Sequence, residues 1–170
     1  VLHGSGHDPF WDQNLPHGVV RIEVPQLCHP VRPLQDVRAW IIMRKMLREL
    51  LPDVVHTHQS KAGILGCLAA RAVPQAAVVH GVHIVPFEGV GRLKRLFYLA
   101  AERIVAPRTD AFIGVSEAVC DAYVNAGLAD PRSAQRRAIH CVRSGMDLDR
   151  FRVAGPPQDH AQLLKRTLDA

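Results

Sequence analysis

Short apolar runs of strand length alternate with helix-forming segments along most of this chain. Four such runs, at residues 53–56, 76–79, 111–115 and 139–142, contain mainly valine, isoleucine and alanine, and polar residues follow each of them. Apolar positions at helical spacing fill the intervals and also precede the first run, at residues 37–51. This alternation predicts an α/β fold, Rossmann-like, in which a parallel sheet carries helices on both faces.

Two of the predicted helices have patterns that bear on burial and charge. In the helix that follows Gly91 and ends near residue 106, the apolar spacing predicts one buried stripe, which comprises Leu93, Leu96, Phe97, Ala100 and Ile104. The helix at residues 37–51 has a basic side, which comprises Arg38, Arg44, Lys45 and Arg48. A basic side is most often solvated surface, and peripheral contact with an anionic membrane is the secondary interpretation.

The composition describes an ordinary globular domain with a basic balance. The 170 residues are 48% hydrophobic and 22% charged, with a formal net charge of +5. Aromatic residues make up only 5% of the chain, and the arginines are scattered rather than interleaved with aromatic side chains. This pattern argues against nucleic-acid binding and leaves anionic small ligands or an anionic membrane surface as partners.

The cysteines and the apolar runs indicate the cellular setting. Cys28, Cys67, Cys120 and Cys141 are far apart in sequence and form no CxxC pair, which favours free thiols and a reducing cytosol. No window approaches the roughly 20 apolar residues of a membrane-spanning helix. We therefore expect a cytoplasmic protein, associated with the inner face of the membrane if its basic surface binds lipid.

Polar residues with chemical potential cluster where each predicted strand ends. Parallel strands present their carboxyl ends at one edge of the sheet, where ligands of open α/β sheets bind. Imidazoles, hydroxyls and cations at one edge suit an anionic, hydroxyl-rich ligand. The candidate residues are His56, His58, Ser60, Lys61, His80, His83, Ser116, Glu117 and Arg143.

These clusters resemble the N-terminal half of a family 4 glycosyltransferase of the two-Rossmann-domain (GT-B) type, most of all members that build bacterial polysaccharides and cell-envelope glycans. The family sequence PDVVHTHxSKAG is matched at residues 52–63, and its His-Thr-x-His-Gly strand end is matched at His80 and His83. Further matches are Glu102-Arg103, Thr109-Asp110, Val115-Ser116-Glu117, and the Gly145, Asp147 and Phe151 of a Gly-x-Asp-x-x-x-Phe motif. The resemblance extends from Val19 to Phe151.

The resemblance implies a hexosyl transfer from a nucleotide-sugar, which is a co-substrate, to a glycan or lipid-linked acceptor, with retention and without a cofactor or metal. His83 corresponds to the catalytic histidine that faces the donor's sugar and phosphates. The other candidate residues, His56, His58, Ser60, Lys61, His80, Ser116, Glu117 and Arg143, would bind substrate. Lys61 opens a predicted helix, where a cation opposes the helix dipole, so an anion is expected nearby.

The resemblance also implies a domain organisation. Residues 1–153 would form the N-terminal domain without its first βα unit, and residues 154–170 would be the linker and the start of a C-terminal Rossmann domain that is missing. A chain truncated at both ends in this way would not transfer sugar alone, because the donor is held in the cleft between the two domains.

Two residues depart from the family pattern. Gly81 stands where threonine is usual, and Ile84 stands where glycine is usual after the second histidine. The β-branched Ile84 would alter the donor contact.

Three other functions fit parts of the same pattern. A metal-dependent hydrolase could use imidazoles from His56-x-His58 and His80-x-x-His83, although no carboxylate set accompanies them. A non-catalytic module that binds a sugar nucleotide or a protein partner is the second alternative. A GT-B epimerase, which shares the architecture and the nucleotide-sugar substrates, is the third.

Overall fold

A computed structural model describes residues 1–5, 16–58 and 60–145, with the side chain of Ser60 excepted. The predicted linker at residues 154–170 and the motif positions Asp147 and Phe151 lie outside the described residues.

Six strands and four helices follow one another in the described part of the chain. In order they are β1 Leu2–His3, β2 Ile22–Glu23, α1 Pro33–Leu50, β3 Val54–His58, α2 Ser60–Ala70, β4 Ala77–Val82, α3 Arg92–Val105, β5 Ala111–Gly114, α4 Glu117–Asn125 and β6 Ala138–Cys141. A 3₁₀ turn at Ala106–Arg108 follows α3 directly, and its Pro107 prevents the helix from continuing.

The strands pair in parallel, as the sequence predicts. The main sheet has the order β3-β4-β5-β6, and β1 and β2 form a separate parallel pair. In the main sheet His58 is the register partner of Gly81, and Gly81 is the partner of Ile113. The α/β class and the parallel sheet are therefore confirmed.

Helix α2 lies on the face of the sheet that bears Thr57 and His80. A Cβ atom added to Gly63 of this helix would lie 2.1 Å from Cε1 of His80, and one added to Gly66 would lie 2.7 Å from Cγ2 of Thr57. Side chains alternate between the faces of a strand, so His56 and His58 lie on the opposite face, and both are exposed. We call this opposite face the open face, because in the described residues β3 is uncovered there.

Strands β3 and β4 are longer than the sequence pattern predicts. Thr57 and His58, predicted as turn residues, are the last two positions of β3. His80, predicted as the start of a polar strand end, lies inside β4, which continues to Val82. The extra strand residues matter for function because the alternation of faces now decides which imidazoles meet.

The predicted burial of α3 is wrong. Leu93, Leu96 and Phe97 are 84%, 63% and 60% exposed, and Ile104 is 55% exposed. The helix instead packs through Leu99, Glu102 and Val105, which are buried. The apolar spacing predicts the helix but not which side of it is buried, because Glu102 occupies the buried side and apolar spacing alone assigns an acidic residue to solvent.

Helix α1 packs against α2 through Ala39, Met43 and Leu47. Val37 and Ile41, two of the apolar positions at helical spacing in residues 37–51, are more than half exposed. Together with Val55, Val78 and Cys67, the buried residues of α1 belong to one apolar cluster, and a second cluster surrounds Phe112 and Tyr123. Both clusters contain strand residues of the helix-covered face, which leaves the open face free for polar side chains.

Candidate active site

His56, His58 and His83 form a line of three imidazoles on the open face, which we call the histidine row. The ring centroids of His56 and His58 are 4.2 Å apart, and those of His58 and His83 are 5.3 Å apart. Nδ1 of His58 and Nε2 of His83 are within hydrogen-bonding distance, at 3.0 Å. The row arises because His56 and His58 are two apart in β3, and His83 follows the neighbouring strand β4 directly.

The electrostatics of the row favour uncharged rings. Partial loss of hydration, and then the nearby His83, lowers the pKa of His56. Loss of hydration also lowers the pKa of His58, with further contributions from His56 and His83. Each imidazole opposes a positive charge on its neighbours. Near neutral pH His56 and His58 are therefore neutral rings that can each donate one hydrogen bond and accept another.

His80 is separated from the row although it is close in sequence. Its side chain is 1% exposed and lies on the helix-covered face, with Nδ1 2.7 Å from Oγ1 of Thr57 and its ring edge-on to Phe112. Burial, followed by the other three imidazoles, lowers the pKa of His80 to about 4, so the ring is neutral. The structure does not bring His80 to the row, and its predicted contact with substrate would require the core to open.

Lys61 binds groups of its own chain. Its ammonium donates to the carbonyl oxygens of Cys28 and Pro30, both at 2.6 Å, and forms an ion pair with Asp36. These bonds attach the start of α2 to the segment before α1. The anion expected near Lys61 is thus the Asp36 carboxylate, and a substrate contact of Lys61 stays a prediction. Ser60 begins α2, and its side chain lies outside the described residues.

Ser116, Glu117 and Arg143 lie at the carboxyl ends of β5 and β6. Ser116 is the N-cap of α4, where its Oγ accepts a hydrogen bond from the Val119 amide at 3.3 Å. Loss of hydration, and then the interaction with Glu117, raises the pKa of the Cys141 thiol. The positive charge of Arg143 lowers that pKa and so offsets part of the shift. Glu117 and Arg143 therefore both lie near Cys141. Among the predicted binding residues, His56 and His58 thus lie in the histidine row and Ser116, Glu117 and Arg143 lie in this second group, whereas His80 and Lys61 belong to neither.

Sequence reasoning missed three features that depend on the fold. Glu102 and Tyr123 are buried neighbours, and burial raises the pKa of Glu102 to about 7. Cys120 and Cys141, 21 positions apart, have neighbouring thiols that raise or lower each other's pKa. Gly81 lies beneath the ring of His58. Only the last had a sequence signal, since Gly81 was identified as a departure from the family pattern.

Metal and membrane-spanning sites were also sought in the part of the chain that the structure describes. Within residues 1–5, 16–58 and 60–145, no three histidine, cysteine or carboxylate side chains are placed together to hold a metal ion. The hydrolase alternative thus gains no support from these residues. None of the helices in the same ranges is long and apolar enough to cross a bilayer.

Two bacterial proteins are similar to this chain. A UDP-Gal:alpha-D-GlcNAc-diphosphoundecaprenol alpha-1,3-galactosyltransferase of Escherichia coli is 33% identical over 132 residues, which cover 77% of this chain and 33% of that protein. The Bacillus subtilis (strain 168) protein named "Putative glycosyltransferase EpsD" is 27% identical over 148 residues, covering 84% of this chain and 36% of its own length. The chain thus spans about a third of the length of the curated relatives it matches.

The model of Glycosyltransferase Family 4 matches residues 2–150. This range contains the histidine row, the pair of thiols and all nine residues predicted for the site. The match covers well over half of the chain and agrees with the parallel α/β fold. The chain belongs to glycosyltransferase family 4.

Proposed function

We propose that the complete protein transfers a sugar from a nucleotide-sugar to a lipid-linked glycan acceptor, with retention. The family match over residues 2–150 supports a transferase, and the name of the E. coli relative supports UDP-galactose as donor and a diphosphoundecaprenol-linked sugar as acceptor. The observation that carries the site is the contact of His83 with His58 on the open face. The donor nucleotide would be bound mainly by residues outside this chain.

The reaction needs a hydrogen-bond donor beside the leaving diphosphate, and His83 can supply one. When the bond between sugar and phosphate breaks, negative charge grows on the leaving diphosphate while the sugar becomes oxocarbenium-like. A hydrogen-bond donor directed at that charge stabilises the transition state more than the ground state. His83 is exposed and follows the last residue of β4, so a ligand at the carboxyl edge of the sheet can reach it. We propose that no metal is required, because protein donors meet the charge.

The test is a transfer assay on the complete protein. A panel of nucleotide-sugars that includes UDP-galactose is offered with N-acetylglucosamine linked to diphosphoundecaprenol, and nucleoside diphosphate release and product anomer are measured, with and without a chelator. We expect turnover with one donor, retained stereochemistry and no effect of the chelator. Release of product with no panel member, or an inverted anomer, would contradict the proposal.

Helix α3 supports a second part of the proposal, which is peripheral contact with an anionic membrane at the cytoplasmic face. Leu93, Leu96 and Phe97 project from its first half into solvent, and the cations Arg92, Lys94 and Arg95 are exposed beside them. An apolar stripe bordered by cations is the pattern of a helix that lies in the membrane interface. The basic side of α1 is the membrane contact that the sequence pattern suggests, and the exposed apolar stripe favours α3 instead.

Vesicle flotation distinguishes the two helices. We expect the protein to bind vesicles that contain phosphatidylglycerol, and the triple variant Arg92→Gln, Lys94→Gln and Arg95→Gln to bind about 100-fold more weakly, at about 1 kcal/mol for each cation. The matched variant of α1, with Arg38, Lys45 and Arg48 changed to Gln, should bind as the wild type does. Loss of binding confined to the α1 variant would assign the contact to α1, and absence of binding would refute it.

A further inference from the structure

Gly81 and His58 occupy the same place on the open face of the sheet. They are register partners in the adjacent strands β4 and β3. A Cβ atom on residue 81 would lie 2.7 Å from Nδ1 of His58, closer than real Cβ atoms approach, and 3.1 Å from Cε1, which is also a tight contact. The imidazole of His58 therefore lies across β4 only because residue 81 has no side chain.

This position brings the ring of His58 to the ring of His83. Nδ1 of His58 and Nε2 of His83 are 3.0 Å apart, so one of the two nitrogens carries the shared proton and the other accepts it. The pKa of His58 is lowered by loss of hydration and by His56 and His83, which keeps this ring neutral. When both rings are neutral, they can share the proton in either of two arrangements, and these differ in which nitrogen of His83 carries a proton.

If Nε2 of His83 donates to His58, the neutral His83 ring has no second N–H, and its Nδ1 can only accept. If Nδ1 of His58 donates instead, Nε2 of His83 accepts and the proton of His83 lies on Nδ1. Only the second arrangement leaves a neutral His83 with an N–H that is not used by His58.

We propose that His58 is a positioning residue for His83, which donates Nδ1–H to Nε2 of His83 and thereby holds the His83 proton on Nδ1. Gly81 permits this contact by leaving space for the His58 ring. The consequence for transfer rests on the proposed function, in which His83 donates to the leaving diphosphate. The contact and the tautomer do not depend on it.

Imidazole nitrogen shifts test the tautomer directly. In long-range ¹H–¹⁵N spectra of the ¹⁵N-labelled protein at pH 7.5, we expect a protonated Nδ1 and an unprotonated Nε2 for His83. His58→Ala removes the partner, and Gly81→Ala displaces its ring, so both variants should move the His83 proton towards Nε2, the site that free histidine prefers. His140→Ala is the control, because His140 is an exposed histidine on the open face of β6, outside the row.

A wild-type His83 that carries its proton on Nε2 would overturn the proposal, and so would variants whose His83 spectrum matches the wild type. The two variants reach the same contact from opposite sides. If one of them fails to fold, the other still decides the matter, because a ring displaced by Gly81→Ala and a ring removed by His58→Ala have the same predicted effect on His83.

Kinetics of the complete protein test the catalytic consequence. We expect His58→Ala and Gly81→Ala to lower kcat about tenfold with the acceptor KM unchanged, in line with partners that orient a functional imidazole. Combined with His83→Ala, His58→Ala should add no further loss, because both act through one group. A changed tautomer with unchanged kcat would overturn the positioning role. An inactive wild type would instead refute the proposed function, and the nitrogen shifts would still decide the contact.

Discussion

The histidine row and the buried polar core are made from the same two strands and differ in almost every property. His56 and His58 of β3 face solvent, whereas Thr57 between them is buried and bonds to His80 of β4. His83, three residues beyond His80, returns to the open face. Because successive strand residues point to opposite faces, one strand supplies chemistry on one side and structure on the other. The histidines of this segment thus differ in environment: those of the row are exposed on the open face, and His80 is buried in the core.

The buried histidine, His80, is surrounded by side chains of the core. His80 contacts Thr57, Phe112 and the backbone space left by Gly63, and Cys67 lies between Thr57 and Thr109. Glu102 and Tyr123 continue this polar core below α3. In the row, by contrast, the imidazoles contact one another and are exposed. The exposed rings are therefore available to a ligand, whereas the buried ring packs in the core and stabilises the fold.

The largest expected effect is on catalysis, from His83→Ala in the complete protein. Removing one donor to a developing charge costs about 2.7–4 kcal/mol, so we expect turnover to fall by about 100- to 1,000-fold. Since His83 is exposed, the free energy of unfolding should change little. Steady-state kinetics and urea denaturation measure the two quantities. Unchanged turnover would show that His83 has no catalytic role.

His80→Ala should produce the reverse pattern. The substitution leaves a cavity beside Gly63 and Phe112 and removes the shortest hydrogen bond of Thr57, the one at 2.7 Å, so we expect about 2–4 kcal/mol of destabilisation. Urea denaturation measures it, with His58→Ala as the matched exposed substitution, expected to cost less than about 1 kcal/mol. Equal losses for the two variants would mean that the row is as much a part of the core as His80.

Much of this arrangement was predictable from sequence, and the part that was not has a physical reason. The parallel α/β fold and the catalytic candidate follow from apolar runs and from motif residues that lie next to one another. The division of His80 from His83 does not, because it depends on strand ends that a pattern places only within a few residues. Because side chains alternate between the two faces of a strand, an error of one residue in the pattern assigns a side chain to the wrong face.

The same reasoning explains the burial of Glu102 and the meeting of Cys120 with Cys141. Apolar spacing predicts which helical positions are buried only if polar residues avoid the core, and Glu102 does not. Cys120 and Cys141 meet because Gly114, the register partner of Cys141, leaves space for the sulfur of Cys120. That adjacency is a property of the sheet and has no sequence spacing of its own.

The buried core should also respond to pH, through two groups that act in opposite directions. The pKa of His80 falls to about 4, so its contribution to stability is lost as pH decreases from 6.5 towards 4. The pKa of Glu102 rises to about 7, so its contribution is lost as pH increases from 4.5 to 7. Between pH 4.5 and 6.5 the two slopes oppose each other, and the wild type should vary little on their account.

Glu102→Gln removes one of the two slopes. On acidification from pH 6.5 to 4 we expect the variant to lose about 2–3 kcal/mol more than the wild type, because protonation of Glu102 no longer offsets the loss from protonation of His80. Urea denaturation at a series of pH values measures the difference. Parallel curves for variant and wild type would show that Glu102 does not titrate in this range.

The smallest effects compare two glycines that each lie beneath an imidazole. A Cβ atom on Gly63 would lie 2.1 Å from Cε1 of His80, whose ring is enclosed and hydrogen-bonded. A Cβ atom on Gly81 would lie 2.7 Å from Nδ1 of His58, but that ring is exposed and can rotate away. We expect Gly63→Ala to destabilise the fold by about 1–2 kcal/mol, because overpacking outweighs the helix propensity that alanine adds. Gly81→Ala should change the free energy of unfolding by less than about 0.5 kcal/mol. Urea denaturation of both variants decides the comparison, and a larger loss at Gly81 than at Gly63 would show that the exposed row supports the fold more than the buried ring does.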